Sequence, residues 1–411
     1  MRLKSLLRDL LGLKDIRVHD ASFDGVGLVV DVTPTSRRPR CSRCGRVGSG
    51  YDRQRGRRWR HLDLAGMQLH LRYDVRRVSC KRCAAVVVEA VPWAEPSSWF
   101  TRPFEDHVGY LAQRSDKTTV SDLMRIAWET VGSIIQRVVA RRRDGDPLDG
   151  LTTIGVDELS YRRHHEYVTV VVDHATARVV WARPGKNAAT LKAFFDELGP
   201  ERCSKLEAVT VDMSAAYIKA VTEATPAAKI VFDRFHVQRL AHAAVDEVRR
   251  DEVRQAAPDG RAALKRTRWP LQKNPWNLTQ GEREKLSALT KTNRRLYRAY
   301  LLKESLVSVL DRKQVNVAAT KLDEWITWAT RSRLEPFRRL ARTVRGYADG
   351  ILAYVQSGLS NGRTEALNGK ARTITRRAYG FHSASGLIAL LKLCCSGIKM
   401  VPVYHYPGST H

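Results

Sequence analysis

An α/β fold class is predicted, with a mixed sheet in the middle of the chain, a β-rich module before it and helices after it. Three observations carry this. Residues 151–257 alternate apolar strands with amphipathic helices in the order β-β-β-α-β-α-β-α. Four of the seven cysteines fall in two Cys-x-x-Cys pairs within the first 105 residues. Residues 258–358 read as helical and hold four tryptophans, Trp269, Trp276, Trp325 and Trp328. The order of the central elements is that of a ribonuclease H-like fold, a three-strand meander followed by crossover units. The 411 residues agree with two or three domains at roughly 150 residues each.

Taken in order, residues 1–105 read as short strands with turns. IRVHDASFDGVGLVVDV forms a hairpin turning at Asp24-Gly25, and MQLHLRYDVRRV alternates as a strand. Residues 106–145 are helical, with Val120, Leu123, Ile126, Val131, Ile134, Ile135, Val138 and Val139 at helical spacing. Gly145, Pro147 and Gly150 then mark a linker. In 151–257, TTIGVDE is the first strand, and EYVTVVV with RVVWARP forms a hairpin turning at Asp173-His174. The helix ATLKAFFDEL follows, with Asn187 as its N-cap, then EAVTVD, SAAYIKAVTEA, AKIVFD and a long helix from Arg234. Residues 258–358 are a helical insertion. Residues 359–411 carry a basic amphipathic helix and the apolar helix SASGLIALLKLCC.

Charge narrows the function. Lysine and arginine number 71 against 43 acidic residues, a net charge of +28. Such an excess calls for a polyanionic partner, nucleic acid or an anionic membrane. Lys4, Arg8 and Asp9 break the N-terminal apolar stretch, and no run approaches the ~18 apolar residues that span a bilayer. The expectation is an intracellular, DNA-associated protein whose cysteines are reduced.

Cys41-x-x-Cys44 and Cys80-x-x-Cys83 flank a 35-residue strand-rich spacer. Each pair supplies two thiolates from one turn, as a tetrahedral zinc site requires. A redox pair or buried core cysteines are the alternatives. Residues 37–60 hold ten arginines and one acid, Asp52, so Arg57, Arg58 and Arg60 are expected to face phosphates. Residues 118–143 suggest a helix-turn-helix broken at Ala127-Trp128, its second helix ending in the basic Arg141 and Arg142. The turn lacks the usual glycine, and a plain helical hairpin competes with that reading.

Asp157 ends the first predicted strand of the α/β region and Asp212 the fourth, neighbours in a ribonuclease H-like sheet. Two carboxylates ~4 Å apart repel by ~4 kcal/mol at an effective dielectric of ~20, so a divalent cation or a shared proton is expected between them. Hard oxygen ligands select magnesium or manganese. Taken singly, such an aspartate is a turn former or helix cap, and Asp173 reads that way. Glu365 is the only acidic residue from Ile351 to His411, among Arg363, Lys370, Arg372, Arg376 and Arg377, which are expected to contact DNA. It is either a local ion-pair partner or a third metal ligand. Two aspartates and a later glutamate suit two-metal phosphodiester chemistry.

The segments IGVDEL (154–159), VTVDMSAAY (209–217), FDRFHV (232–237) and NGRTEALNGKARTITRRAYGF (361–381) resemble the motif blocks of bacterial insertion-sequence transposases of the ISL-three family. The resemblance covers essentially the whole chain. It implies a DDE transposase with a ribonuclease H-like core, a zinc finger and a helix-turn-helix. Asp157, Asp212 and Glu365 fall on the metal-binding triad that family carries. Asp233 and His236 match an Asp-x-x-His motif of related families. The implied partners are terminal inverted repeats and target DNA, bound by a dimer or higher oligomer. Two other classes compete. His236-Val-Gln-Arg239 superficially matches a tyrosine recombinase, which leaves the three carboxylates unexplained. A catalytically inactive or domesticated zinc-finger DNA-binding protein is the second; all three triad residues stand, so a loss of activity has no visible cause in the sequence.

Overall fold

Apolar alternation and helix caps account for most elements of the computed structural model, which describes residues 3–162, 166–359, 362–377 and 383–402. The fold is mixed α/β, with a β-rich N-terminal region and a largely helical C-terminal region. Two compact units divide it, one comprising Met1–Arg143 with the stretch from Gly397, the other Asp144–Ser396. No described helix is long and apolar enough to cross a membrane.

In the N-terminal unit the strands are β1 (Ile16–Asp24), β2 (Gly27–Pro34), β3 (Ser49–Leu64), β4 (Met67–Cys80) and β5 (Ala85–Val88). Their order is β1-β2-β4-β3, with β5 paired to β4. The β1–β2 turn falls at Gly25-Val26, with Asp24 opposite Gly27 and accepting from the Val26 N–H. β4 is the strand read from MQLHLRYDVRRV, two residues longer, whereas the expectation of short strands fails for β3, which runs 16 residues. The first half of β3 is exposed on both faces, so it carries no apolar alternation to read. Val30, Leu69, Leu71, Val75, Trp59 and Trp93 fill the core, the two indoles packing edge to face at 5.4 Å.

Helices Arg102–Ala112, Lys117–Met124 and Trp128–Arg142 follow. Asp116 caps the second by accepting from the Thr119 N–H. The break before the third comes at Arg125, whose φ of 52° is the left-handed conformation a turn glycine usually takes. An ion pair with Asp63 and a 3.0 Å bond to the Gly66 carbonyl hold Arg125 there. Val120, Met124, Val131, Ile134, Ile135 and Val138 form the buried stripe, whereas Leu123, expected among them, is exposed.

The second unit is built on β6 (Thr153–Arg162), β7 (Glu166–Asp173), β8 (Arg178–Pro184), β9 (Ala208–Val211) and β10 (Lys229–Phe232), in the order β10-β9-β6-β7-β8. β6, β7 and β8 form an antiparallel meander, while β9 pairs parallel with both β6 and β10. Asp173 is the turn former expected, accepting from the Ala175 and Thr176 N–H groups. Asn187 caps helix Ala188–Leu198 as the sequence indicates. Both faces of the sheet are covered, which is why β7 is an almost unbroken apolar run. Ile154, Val156, Val171, Val209 and Val211 pack against helices Ala188–Leu198 and Ala215–Ala224. Helix Gly362–Arg377 packs on β6, and helix Ala384–Cys395 on β7 and β8. Between Arg234–Gln255 and Gly362–Arg377 lie further helices, from Pro258–Leu264 to Ala348–Ser357. Among them Trp325 is buried and donates to the Leu302 carbonyl at 2.7 Å.

Candidate functional site

The parallel register fixes where the aspartates stand. β6 pairs with β9 through Thr153–Ala208, Ile154–Val209 and Gly155–Thr210. Carrying that register two residues on brings Asp157 level with Asp212, on strands about 4.8 Å apart. Alternation puts both on the face opposite Ile154, Val156, Val209 and Val211. Asp157 does not end its strand as the sequence suggested. β6 runs on to Arg162 because β7 continues to pair with it after β9 has ended, and Asp157 faces Val170 across that pair. What ends near Asp157 is the parallel pairing, which leaves one edge of β6 open beside it. Asp157 accepts from the Glu158 N–H at 2.7 Å, and Asp212 from the Ser214 N–H at 3.1 Å.

Val168, Val170 and Val172 lie on the Asp157 face of the sheet and are fully buried. The helices that pack on β6, β7 and β8 there are Gly362–Arg377 and Ala384–Cys395. The backbone of Glu365 belongs to the first of these. The side chains of Glu365 and Arg363 lie outside the described residues.

β10 continues the same register, pairing Phe232 with Val211, so Asp233 stands level with Asp212 in turn. Asp233 is buried, caps the long helix by accepting from the Phe235 N–H, and lies 3.8 Å from His236 Nε2. Arg239 donates to His236 Nδ1 at 3.0 Å, which leaves the Nε2 proton to face Asp233.

Reasoning from sequence missed the opposite face. Burial raises the Glu158 carboxyl above its ordinary range, a bond from Tyr217 opposes this, and the charges of Asp212 and Asp157 add to it. Burial also raises the Tyr217 phenol, whose oxygen lies 3.0 Å from Thr169 Oγ1. Lys186, 3.8 Å above the Tyr167 ring, is the cation that eases Glu158. Two adjacent acids, Asp157-Glu158, were the available signal.

The four cysteines meet. Their sulfurs all lie within 4.8 Å of one another, with Cys41 3.9 Å from Cys83 and Cys44 3.5 Å from Cys80. Four thiolates at ~2.3 Å from a tetrahedral centre stand just under 4 Å apart, so the cluster fits zinc. The first turn closes through Gly45 N–H to the Cys41 carbonyl, and the second is the β4–β5 hairpin. Burial pushes the Cys41 thiol up, but N–H groups of Cys44 and Arg43 outweigh it and bring it down to about 6.

Residues 154–391, more than half the chain, match the family model described as "Transposase", the DDE transposase domain of the ISL3 family. The chain belongs to the ISL3 family of transposases. Residues 89–139 match the helix-turn-helix domain of ISL3 transposases, and 37–83 match the zinc-finger of transposases IS204/IS1001/IS1096/IS1165. The transposase for insertion sequence element IS1557 of Mycobacterium tuberculosis (strain H37Rv) is 42% identical over 97% of this chain and 96% of its own length. The transposase for IS1001 of Bordetella parapertussis is 29% identical over 89% of this chain and 91% of its own.

Several arginines of this ISL3 transposase are engaged within the protein. Arg60 is 7% exposed and ion-paired with Asp63. Arg57 lies over the Trp59 and Trp99 rings and donates to the Ser98 carbonyl, and Arg58 pairs with Asp24. Arg141 is engaged by Glu105 and Asp106, and Arg142 by Asp106. Lys370 donates to the Cys394 carbonyl at 2.6 Å, while Arg372 and Arg376 are exposed.

Proposed function

We propose that this transposase binds the terminal inverted repeats of its own insertion sequence and catalyses metal-dependent strand cleavage and strand transfer. The active site would comprise Asp157, Asp212 and Glu365. One observation carries the reading. Asp157 on β6 and Asp212, one residue past the end of the neighbouring parallel strand β9, stand level in register on the sheet face covered by the helix that bears Glu365. The order β10-β9-β6-β7-β8, with its antiparallel meander, supports a ribonuclease H-like core.

Two carboxylates level on neighbouring strands call for a compensating cation or a shared proton, and their hard oxygen donors suit magnesium or manganese. Asp157, Asp212 and Glu365 would hold the metal, which would supply Lewis-acid activation of an attacking water or 3′-hydroxyl and charge stabilisation at the leaving oxygen. The protein supplies orientation. The Glu158 and Ser214 N–H groups fix the two aspartates, and the Glu158–Tyr217–Thr169 chain braces β6 from behind. Asp233 and His236 are secondary members of the same rim.

We divide the chain functionally into a zinc module (1–105), helix-turn-helix (106–145), first core segment (151–257), helical insertion (258–358) and the core's C-terminal helices (359–411). The first two would recognise the ends. A dimer or larger assembly would join two of them, in the nucleoid of a bacterial cytoplasm.

The test uses purified full-length protein and a labelled duplex carrying the DNA that flanks the gene. Site-specific nicking that appears with magnesium and disappears with EDTA is expected. Binding of that duplex without any nicking, across magnesium and manganese, would contradict the reading.

A further inference from the structure

Helix Trp128–Arg142 is the second helix of the helix-turn-helix, and its two long faces differ in kind. Val131, Ile134, Ile135 and Val138 are buried. Its basic residues are occupied: Arg137 and Arg141 are ion-paired with the fully buried Glu105, and Arg141 and Arg142 with Asp106. Glu129, Ser133, Gln136 and Ala140 are exposed and recur at the spacing of a single helical stripe. On so basic a chain a solvent-facing stripe would be expected to carry lysine and arginine. Residues 1–143 hold 28 basic residues against 15 acidic ones. This stripe holds none, and its members are the side chains suited to base edges rather than phosphates.

We infer that this stripe lies in the DNA major groove and that Gln136 is a specificity-determining residue for the bound sequence, resting on the reading that the protein recognises its element ends. From Glu129 to Gln136 the helix rises about 10 Å, the height of about three base pairs. A glutamine amide there accepts from adenine N6 and donates to adenine N7 in one bidentate contact. Ser133, whose hydroxyl donates to the Glu129 carbonyl at 3.3 Å, offers its lone pairs to a donor on the next base. Glu129 accepts from a cytosine N4 amine. Double-stranded DNA is the occupant because the rest of the unit provides the positive field and the two-helix geometry provides the fit.

Selection from a randomised duplex pool tests this with full-length wild type, Gln136→Ala and Gln136→Glu, all at one salt concentration. Wild type is expected to enrich a motif containing an adenine that Gln136→Ala no longer requires, its preference there falling about tenfold or more. Gln136→Glu, which swaps the donor for a second acceptor, should favour cytosine at the same position, with the other columns unchanged. Identical motifs from all three proteins would overturn the inference while leaving sequence-specific binding intact. Loss of every column together in both variants would make Gln136 a structural residue and overturn it equally. A wild type that enriches nothing would instead contradict the end-recognition reading itself, and this inference with it.

Discussion

Glu158 and Asp157 are neighbours in sequence, yet they serve opposite faces of one strand, because side chains alternate along β6. The equal-register placement of Asp157, Asp212 and Asp233 was legible in part. Strand ends and spacing could be read, but register is set by which strands pair and how far, a long-range property. Buried partners were not legible at all. His61 is an example, a histidine in a basic run that reads as surface. It is buried, with Nδ1 2.7 Å from Thr101 Oγ1 and Nε2 3.1 Å from the Leu11 carbonyl. Burial lowers its pKa to about 4, against 6.5 in an unfolded chain. Between those values the unfolded state binds the extra proton. The stability from keeping His61 neutral is therefore complete above pH 6.5 and lost as pH falls toward 4. The loss on going from pH 7 to pH 5 should be about 2 kcal/mol, read as a drop in melting temperature. His61→Leu should flatten that part of the pH dependence.

Among the elements, the helix-turn-helix was recognisable by its apolar spacing, and the missing turn glycine is explained by Arg125 held in the left-handed region. The roles of its arginines were not recognisable. Glu105 is 0% exposed and binds Arg137 at 2.6 Å and Arg141 at 2.8 Å, a partnership between helices that no local pattern announces. Removing only the anion would take from partly buried Arg137 the carboxylate it pairs with, and would leave Arg141 to Asp106 and Glu95. Glu105→Gln should cost about 3 kcal/mol or more in unfolding free energy, well above the ~1 kcal/mol of a surface pair. Denaturant titration of the two proteins checks it. The cysteine turns were the most legible elements, because a zinc site depends on short spacings. Metal analysis should find about one zinc per chain. Cys41→Ser should lower both the zinc content and the melting temperature, whereas Cys203→Ser should leave the zinc content unchanged.

Across the molecule, the positive charge and the motif blocks together indicate a DNA-acting protein from the sequence, and family membership agrees. Long strand β3 escaped because half of it is exposed on both faces. The central claim is that carboxylates on β6, just past the end of β9 and on the helix Gly362–Arg377 act as one metal-binding unit. Glu365→Gln separates that from a merely local ion pair, since it keeps the side chain's size and removes its charge. The decisive measurement is magnesium-dependent nicking of a labelled terminal-repeat duplex, run beside a binding titration on the same preparation. We predict cleavage lowered by orders of magnitude with binding retained or tighter, and little further loss when Asp157→Asn or Asp212→Asn is added, because the three act together. A Glu365→Gln protein that binds the duplex and still cuts it near the wild-type rate would contradict the account.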